Sequence, residues 1–215
     1  MTPEKLIVFV KAPQIGAVKT RLAESIGAAA ACAAYRQLVA VLLERLRTLP
    51  EVELRFTPDG AIDEIRSWVK HGWTCQPQGA GTLGDRLQIA FAASFAVSAR
   101  RVVIIGSDCP SVRPEDIRRA WAALLTHDVV LGPATDGGYW LIGLRQPQSG
   151  LFEGISWSTD SVFADTIVRA RNAELRVEIL RELEDVDTEE DWRRFLARQD
   201  ISVFRSPHLD ALPKP

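Results

Sequence analysis

The fold is decided by the stretch Val102-Val-Ile-Ile-Gly106-Ser-Asp108-Cys-Pro110. Its first four residues form a short run of β-branched apolar side chains, which is typical of a strand buried on both faces of a parallel sheet. Gly106 ends the run, and the acidic residue Asp108 follows almost at once. Ligands of open α/β sheets bind beyond the carboxyl ends of the strands, so Asp108 is a candidate functional carboxylate. The alternative is a turn-forming or helix-capping residue, which Pro110 and the helix expected at Pro114 support.

Apolar runs of the same kind alternate with segments of helical periodicity along the rest of the chain. We predict strands at residues 6–10, 52–57, 102–105, 129–131, 139–144 and 177–180, with helices between most of them. This order predicts an α/β fold, a three-layer αβα sandwich with a mostly parallel sheet. The turn Asp136-Gly137-Gly138 predicts at least one antiparallel strand. We expect one domain over residues 1–199 and a C-terminal tail over residues 200–215.

Composition excludes several classes of protein. The 215 residues are 47% apolar and 25% charged, which is ordinary for a globular chain and unlike a disordered one. Lys and Arg number 26 against 28 Asp and Glu, so a general nucleic-acid binder is not expected. No apolar stretch is long enough to span a membrane, and we find no secretion signal. Three widely spaced cysteines fit neither a disulfide framework nor a CxxC metal site, so we predict a cytoplasmic location.

Two familiar nucleotide motifs fail on inspection. The segment Gly16-Ala-Val-Lys19-Thr20 lacks the glycine directly before lysine, and the earlier glycine, that a P-loop requires. The segment Gly79-Ala-Gly81-Thr-Leu-Gly84 matches GxGxxG, but it follows no clear strand. The acid that a dinucleotide fold places about 20 residues further on is replaced by Ile104. We therefore expect a loop before a helix there.

A basic loop follows the first predicted strand. Lys11, Lys19 and Arg21 flank Gly16 in a segment that leads into a helix. Backbone N–H groups at a helix N-terminus, together with these cations, suit a diphosphate. The alternative is a solvated basic turn. The position beyond a buried strand favours phosphate binding.

A second acidic segment, Glu184-Asp185-Val186-Asp187-Thr188, precedes the last predicted helix. Asp187 is a candidate partner of Asp108 in holding Mg²⁺ or Mn²⁺, because hard carboxylate oxygens suit these ions. Asp185 points to the opposite face if the segment is extended. The alternative is an acidic helix start, in which Thr188 and Asp191 form a weak capping box.

Seven short motifs recur in an order that resembles the DUF2064 family, also called selenodomain-associated transferase 1, of the GT-A, nucleotide-diphospho-sugar transferase-like fold. They cover roughly residues 5–198 and are Phe9-Val-Lys11-Ala-Pro13, Gly16-Ala-Val-Lys19-Thr20-Arg21-Leu22, Leu83-Gly84-Asp85-Arg86-Leu87, Ile105-Gly106-Ser107-Asp108-Cys109-Pro110, Leu131-Gly132-Pro133-Ala134-Thr135-Asp136-Gly137-Gly138-Tyr139, Trp157-Ser158-Thr159 and Asp185-Val186-Asp187-Thr188.

The resemblance implies a role for each group of residues. Lys11, Gly16, Lys19 and Arg21, joined by Gly84 and Arg86, correspond to nucleotide- and phosphate-binding positions. Asp108 and Asp187 correspond to metal ligands, and Asp108 and Asp136 are the candidate catalytic residues. Gly137, Gly138 and Trp157 are the candidate acceptor-binding residues.

The implied function is a metal-dependent, glycosyltransferase-like transferase that uses a nucleotide-sugar donor and a small-molecule acceptor. Sugar transferases of this fold carry Asp-x-Asp, whereas this chain has Asp108-Cys-Pro110 without the second acid. One alternative is therefore a nucleotidylyltransferase that joins an NMP from a nucleoside triphosphate to a small phosphorylated acceptor. A non-catalytic nucleotide-binding module is a further alternative.

Overall fold

The computed structural model describes residues 4–198, and all structural statements below concern that part of the chain. The strands are β1 Glu4–Lys11, β2 Val52–Thr57, β3 Thr74–Pro77, β4 Arg101–Ile105, β5 Val129–Pro133, β6 Tyr139–Leu144 and β7 Val177–Ile179. The helices are α1 Thr20–Ile26, α2 Ala28–Leu46, α3 Ile62–Ile65, α4 Leu83–Ala96, α5 Pro114–Ala123, α6 Val162–Asn172 and α7 Glu189–Arg198. Two 3₁₀ segments lie at Arg66–Trp68 and Ser149–Phe152.

The strands form one sheet in the order β3-β2-β1-β4-β6-β5-β7. All pairs are parallel except the two that involve β6, which runs antiparallel to both β4 and β5. The mostly parallel sheet and the predicted antiparallel strand are therefore confirmed. Because β6 is reversed, the turn between β5 and β6 lies at the same edge of the sheet as the carboxyl ends of β1 and β4.

Alternating side chains of the central strands build two cores, one on each face of the sheet. Leu6, Val8 and Val10 of β1 pack with the apolar faces of α2 and α5. Ile7 and Phe9 point the other way and pack with α4 and α6. Because both faces of the central strands are covered, their sequences are continuous apolar runs, and the predicted three-layer sandwich is confirmed.

Helix α7 returns the end of the described chain to the first helices. Phe195 and Trp192 pack against Leu38 and Val41 of α2. The predicted capping box is present, since Thr188 Oγ1 accepts from Asp191 N–H at 3.3 Å and Asp191 Oδ2 accepts from Thr188 N–H at 2.8 Å. This cap sets the start of α7 directly after Asp187.

Three details differ from the sequence predictions or lie beyond them. Strand β3 had no clear signal, because it is a short, mostly exposed edge strand that ends in Pro77. The helix expected between β2 and the next predicted strand is a single turn, α3, that continues as a 3₁₀ segment. The predicted tail at residues 200–215 and the domain end at residue 199 lie outside the described residues. Within residues 4–198, no helix has the length and hydropathy that a membrane crossing needs.

Candidate active site

An open cleft of about 940 Å³ lies at the edge of the sheet where β1, β2 and β4 end. The loop after β1 and the N-terminal end of α4 form one side of it, and the β5–β6 turn and the segment before α6 form the other. Eight of the predicted site residues line it: Lys11, Arg21, Arg86, Asp108, Asp136, Gly138, Trp157 and Asp187.

Lys19 lies behind the cleft between two carboxylates. Its Nζ donates to Oδ1 of Asp108 and, at 2.8 Å, to Oδ1 of Asp187, and its side chain is only 3% exposed. Arg21 pairs with the other oxygen of Asp187. Lys19 precedes α1 in a left-handed backbone conformation, with φ of 50°. The loop after β1 therefore ends by placing a buried cation between acids from two distant segments.

The electrostatics of this cluster follow from burial and charge. Burial lowers the pKa of Lys19, but the charges of Asp108 and Asp187 outweigh it and raise this pKa above its ordinary value. Burial raises the pKa of Asp187, yet Lys19 and Arg21 hold it below its usual range. Lys19 and Asp187 are therefore both charged near neutral pH.

Backbone hydrogen bonds hold Asp187 beside Asp108. The N–H of Val186 donates to the carbonyl of Asp108 at 3.0 Å, and the N–H of Leu183 donates to the carbonyl of Pro133 at 3.1 Å. The segment after β7 thus runs along the ends of β4 and β5 before α7 begins. This path brings Asp187 to the end of β4, next to Asp108.

Asp185 also lines the cleft, whereas we expected it on the opposite face from Asp187 if the segment were extended. That expectation assumed an extended strand, whereas residues 184–187 have no regular secondary structure and strand alternation does not apply. Burial raises the pKa of Asp185 to about 6, and the negative charges of Asp136 and Asp187 add to this effect. The cleft therefore contains more carboxylate than the sequence interpretation assigned to it.

A buried tyrosine connects the ends of β1 and β4 beneath the site. The hydroxyl of Tyr35, from α2, accepts from the N–H of Lys11 at 2.8 Å and lies 3.0 Å from Oγ of Ser107. Ser107 directly precedes Asp108. The loop after β1 and the candidate metal ligand Asp108 are thus tied to one side chain, which the helical pattern marks only as a core residue.

Arg86 lies on the cleft without a carboxylate partner in the described chain. Its Nη1 is 3.3 Å from Oε1 of Gln78 and 3.5 Å from Oγ1 of Thr57, and its buried Nε has no hydrogen-bond partner there. The buried Gln78 amide in turn donates to the carbonyls of Val10 and Arg55. Gln78, which the sequence analysis did not single out, therefore orients a guanidinium that has no carboxylate partner within the described residues.

Three of the predicted glycines support the site without lining it. Gly16, in the loop after β1, has a φ of +83° and open space around it. A Cβ on Gly84 would lie 2.8 Å from the indole of Trp157, so the missing side chain lets α4 approach the segment before α6. A Cβ on Gly137, whose φ is +86°, would lie 2.1 Å from the carbonyl oxygen of Asp160.

The turn Asp136-Gly137-Gly138 closes the hairpin between β5 and β6. Oδ1 of Asp136 accepts from the N–H of Gly138 at 2.9 Å, which leaves its other oxygen free toward the cleft. The carbonyl of Gly137 accepts from the N–H of Phe163 at 2.9 Å and so ties the turn to the start of α6. The turn and the loop before α6 therefore form one wall.

No group of three or more His, Cys, Asp or Glu in residues 4–198 has the arrangement of a metal site. What these residues offer is the pair Asp108 and Asp187, which share one cationic nitrogen. Two hard carboxylates so placed suit a divalent ion that takes its other ligands from phosphate and water.

The model of the family described as uncharacterized protein conserved in bacteria (DUF2064) matches residues 42–159. The chain belongs to the DUF2064 family. No curated protein matches this DUF2064 chain in sequence.

One solved structure is similar in sequence as well as in fold. It is a protein from Desulfovibrio desulfuricans G20 assigned as a nucleotide-diphospho-sugar transferase, 33% identical, with a TM-score of 0.86 over 96% of this chain and 92% of that one. The predicted nucleotide-diphospho-sugar transferase-like fold is therefore confirmed.

Two more distant structures share the fold alone. Rv0371c from Mycobacterium tuberculosis H37Rv, in complex with manganese, is 18% identical with a TM-score of 0.58, over 92% of this DUF2064 chain and 100% of that chain. The 4-diphosphocytidyl-2C-methyl-D-erythritol synthase from Anaerococcus prevotii DSM 20548 is 13% identical with a TM-score of 0.58, over 91% and 97%.

Proposed function

We propose that the protein is a metal-dependent transferase that uses a nucleotide-sugar donor. The observation that carries the proposal is the convergence of Asp108 and Asp187 on Lys19, beside a cleft that Arg21, Lys11 and Arg86 also reach. Cations and a divalent ion at one end of such a cleft suit a diphosphate. The 33% identical relative, assigned as a nucleotide-diphospho-sugar transferase, supports the same reaction class.

The residues fit Mg²⁺ or Mn²⁺ in one particular respect. Oxygens of Asp108 and Asp187 already lie within hydrogen-bonding distance of one positive charge, so they are close enough to hold one ion. When bound, the ion would neutralise charge on the diphosphate as it leaves. Lys19 pairs with both carboxylates in this structure. If the ion took over these carboxylates, the ammonium group of Lys19 would be available to pair with the phosphates.

The remaining residues have separable roles. Arg21 and Lys11 bind phosphate oxygens from the side of the loop after β1, and Arg86 binds them from α4. The free oxygen of Asp136 orients an acceptor hydroxyl and takes its proton. Gly138 lets the backbone of the turn approach the acceptor closely, Gly137 supports the turn by admitting the backbone of Asp160, and Trp157 packs beside the acceptor.

The test is turnover against a panel of NDP-sugars and NTPs, each with Mg²⁺ or Mn²⁺ and a mixture of acceptors. Released NDP, dependent on the metal and abolished in Asp108→Asn, is the expected result. An active enzyme that is indifferent to metal chelation would contradict the proposal. Binding of a nucleotide without any turnover would favour the non-catalytic module.

Nucleotidyl transfer is a second candidate, for one specific reason. Position 110 is proline, so the second acid of the Asp-x-Asp pattern of sugar transferases is missing. The same loop cations and metal ligands serve an attack on the α-phosphate of an NTP. The products separate the candidates, because nucleotidyl transfer releases pyrophosphate and glycosyl transfer releases NDP.

A further inference from the structure

The cleft is divided by charge into two walls. The first consists of residues from the ends of β1 and β2, from the start of α1 and from α4, and it contributes the cations Lys11, Arg21 and Arg86. The second is formed by the lining residues between 134 and 162. Among the described residues that line this second wall, there is no Lys or Arg.

Two carboxylates of the second wall are exposed and lack a counter-charge. Asp136 accepts one backbone hydrogen bond and makes no ion pair, and Asp160 has no side-chain hydrogen bond or ion pair within residues 4–198. The two residues are neighbours, because the backbone carbonyl of Asp160 lies directly against Gly137. Both line this half of the cleft, and neither carboxylate is neutralised by a cation within residues 4–198.

Two aromatic side chains on the same wall point to a ligand independently of the acids. Trp157 is half-buried, lines the cleft and stacks on Phe152 with ring centroids 6.5 Å apart. Tyr139 also lines the cleft, and its buried hydroxyl lies beside Thr166 without making a hydrogen bond. An aromatic surface next to carboxylates without ion pairs offers contacts to a molecule that has both C–H faces and O–H groups.

We propose that the second substrate is an uncharged, hydroxyl-bearing molecule and that Asp160, together with Asp136, rejects phosphorylated analogues. The inference rests on the proposed transferase function and deepens it. Hydroxyl groups donate to free carboxylate oxygens, whereas a phosphate dianion beside two unpaired carboxylates meets like charge and no cation. The charge of this wall therefore argues against a phosphorylated acceptor, both for glycosyl transfer and for nucleotidyl transfer.

Asp160 is the residue that tests this idea, because it is exposed and its side chain makes no hydrogen bond or ion pair within the described chain. Acceptors are compared in matched pairs, such as a hexose with its hexose phosphate and glycerol with glycerol phosphate, at saturating donor and Mn²⁺. We expect the neutral member to have at least tenfold higher kcat/KM in the wild type. Asp160→Lys should reduce or reverse this ratio by tenfold or more, and Asp160→Asn should reduce it less.

The matched control is Asp63→Lys, which makes the same charge change on α3, where Asp63 is 86% exposed and does not line the cleft. It should leave the ratio unchanged. A wild-type preference for phosphorylated acceptors, or an Asp160→Lys ratio equal to that of the wild type, would overturn the inference while leaving the transferase function intact.

A binding measurement separates the two levels of failure. The protein is saturated with Mg²⁺ and with UDP, CDP or GDP, without Mn²⁺, and each acceptor pair is titrated by NMR. The neutral acceptor should bind more tightly than its phosphorylated counterpart. If a nucleotide binds but neither member of any pair does, the inference is wrong. If no nucleotide binds with metal, the proposed function itself fails.

Discussion

The ammonium nitrogen of Lys19 lies 2.8 Å from Oδ1 of Asp187, although 168 positions separate the two residues in the chain. The contact joins the loop after the first strand to the segment before the last described helix. Asp108 completes the cluster from the end of β4. Three separate parts of the sequence thus meet at one charge, and the predictions below test what each of them does there.

Lys19→Ala and Arg21→Ala should each weaken nucleotide binding by about 1.5–3 kcal/mol, because each removes a charged hydrogen bond to phosphate. Their stabilities should differ. Loss of the buried Lys19 leaves two carboxylates without their shared partner and lowers the free energy of unfolding by about 1–3 kcal/mol. Arg21 is 61% exposed, so its removal should change stability by no more than about 0.5 kcal/mol.

Isothermal titration calorimetry and urea denaturation measure the two effects separately. Nucleotide affinity that is unchanged in both variants would show that this loop does not bind phosphate. Equal stability losses in both would contradict the structural distinction between them.

Asp108→Asn should abolish the rise in melting temperature that Mn²⁺ plus nucleotide produces in the wild type, since the ion loses one of its two carboxylates. The apo variant should lose about 1 kcal/mol of stability, because the amide is a weaker partner for Lys19 than the carboxylate. Differential scanning fluorimetry with and without ligand measures both quantities.

Asp128→Asn is the matched control for the loss of a paired carboxylate. Asp128 forms ion pairs with Arg145 at 3.0 Å and with Arg176 at 3.1 Å. It directly precedes β5, at the end of the sheet opposite to the cleft. This variant should melt earlier yet keep the full ligand-induced shift. If Asp108→Asn also keeps that shift, Asp108 is not a metal ligand.

Gly137→Ala should destabilise the protein by at least about 2 kcal/mol and reduce turnover, because the added Cβ meets the Asp160 carbonyl in a left-handed conformation. Gly60→Ala serves as the control, since a Cβ there meets nothing within 4 Å and φ is not positive. It should be neutral or slightly stabilising. Equal unfolding curves for the two variants would show that the turn does not depend on glycine.

Tyr35→Phe should cost about 1–3 kcal/mol, because the buried Lys11 N–H loses its acceptor and Ser107 loses its hydroxyl partner. Tyr139→Phe is the paired comparison, since the Tyr139 hydroxyl is buried without a hydrogen bond and its removal should be neutral or stabilising. Urea denaturation of both variants provides the measurement. A larger loss for Tyr139→Phe than for Tyr35→Phe would contradict the proposed link between β1 and β4.

Several features of the site were predictable because local physics marks them. The apolar run of β4 and the glycine that ends it locate Asp108, and the Thr188–Asp191 capping box locates Asp187 just before a helix. The Asp-Gly-Gly turn between two strand patterns locates the antiparallel hairpin. Each of these signals extends over only a few neighbouring residues.

The features that were missed depend on contacts between distant segments. Asp185 faces the cleft because its segment follows hydrogen bonds to Pro133 and Asp108 instead of strand alternation. Tyr35 has the helical spacing of a core residue, and nothing near it in sequence indicates that its hydroxyl joins two strand ends. Asp160 gains its position only because Gly137 admits its backbone.

The order of strands along the chain has a consequence for synthesis on the ribosome. β1 to β4 lie within the first 105 residues and pair with one another, but the second edge of β4 waits for β6, which ends at residue 144. At elongation rates of about 5–20 residues per second, that apolar edge stays open for about 2–8 s. An unpaired strand edge recruits other chains. A chaperone that covers this edge during synthesis should therefore raise the yield of folded protein.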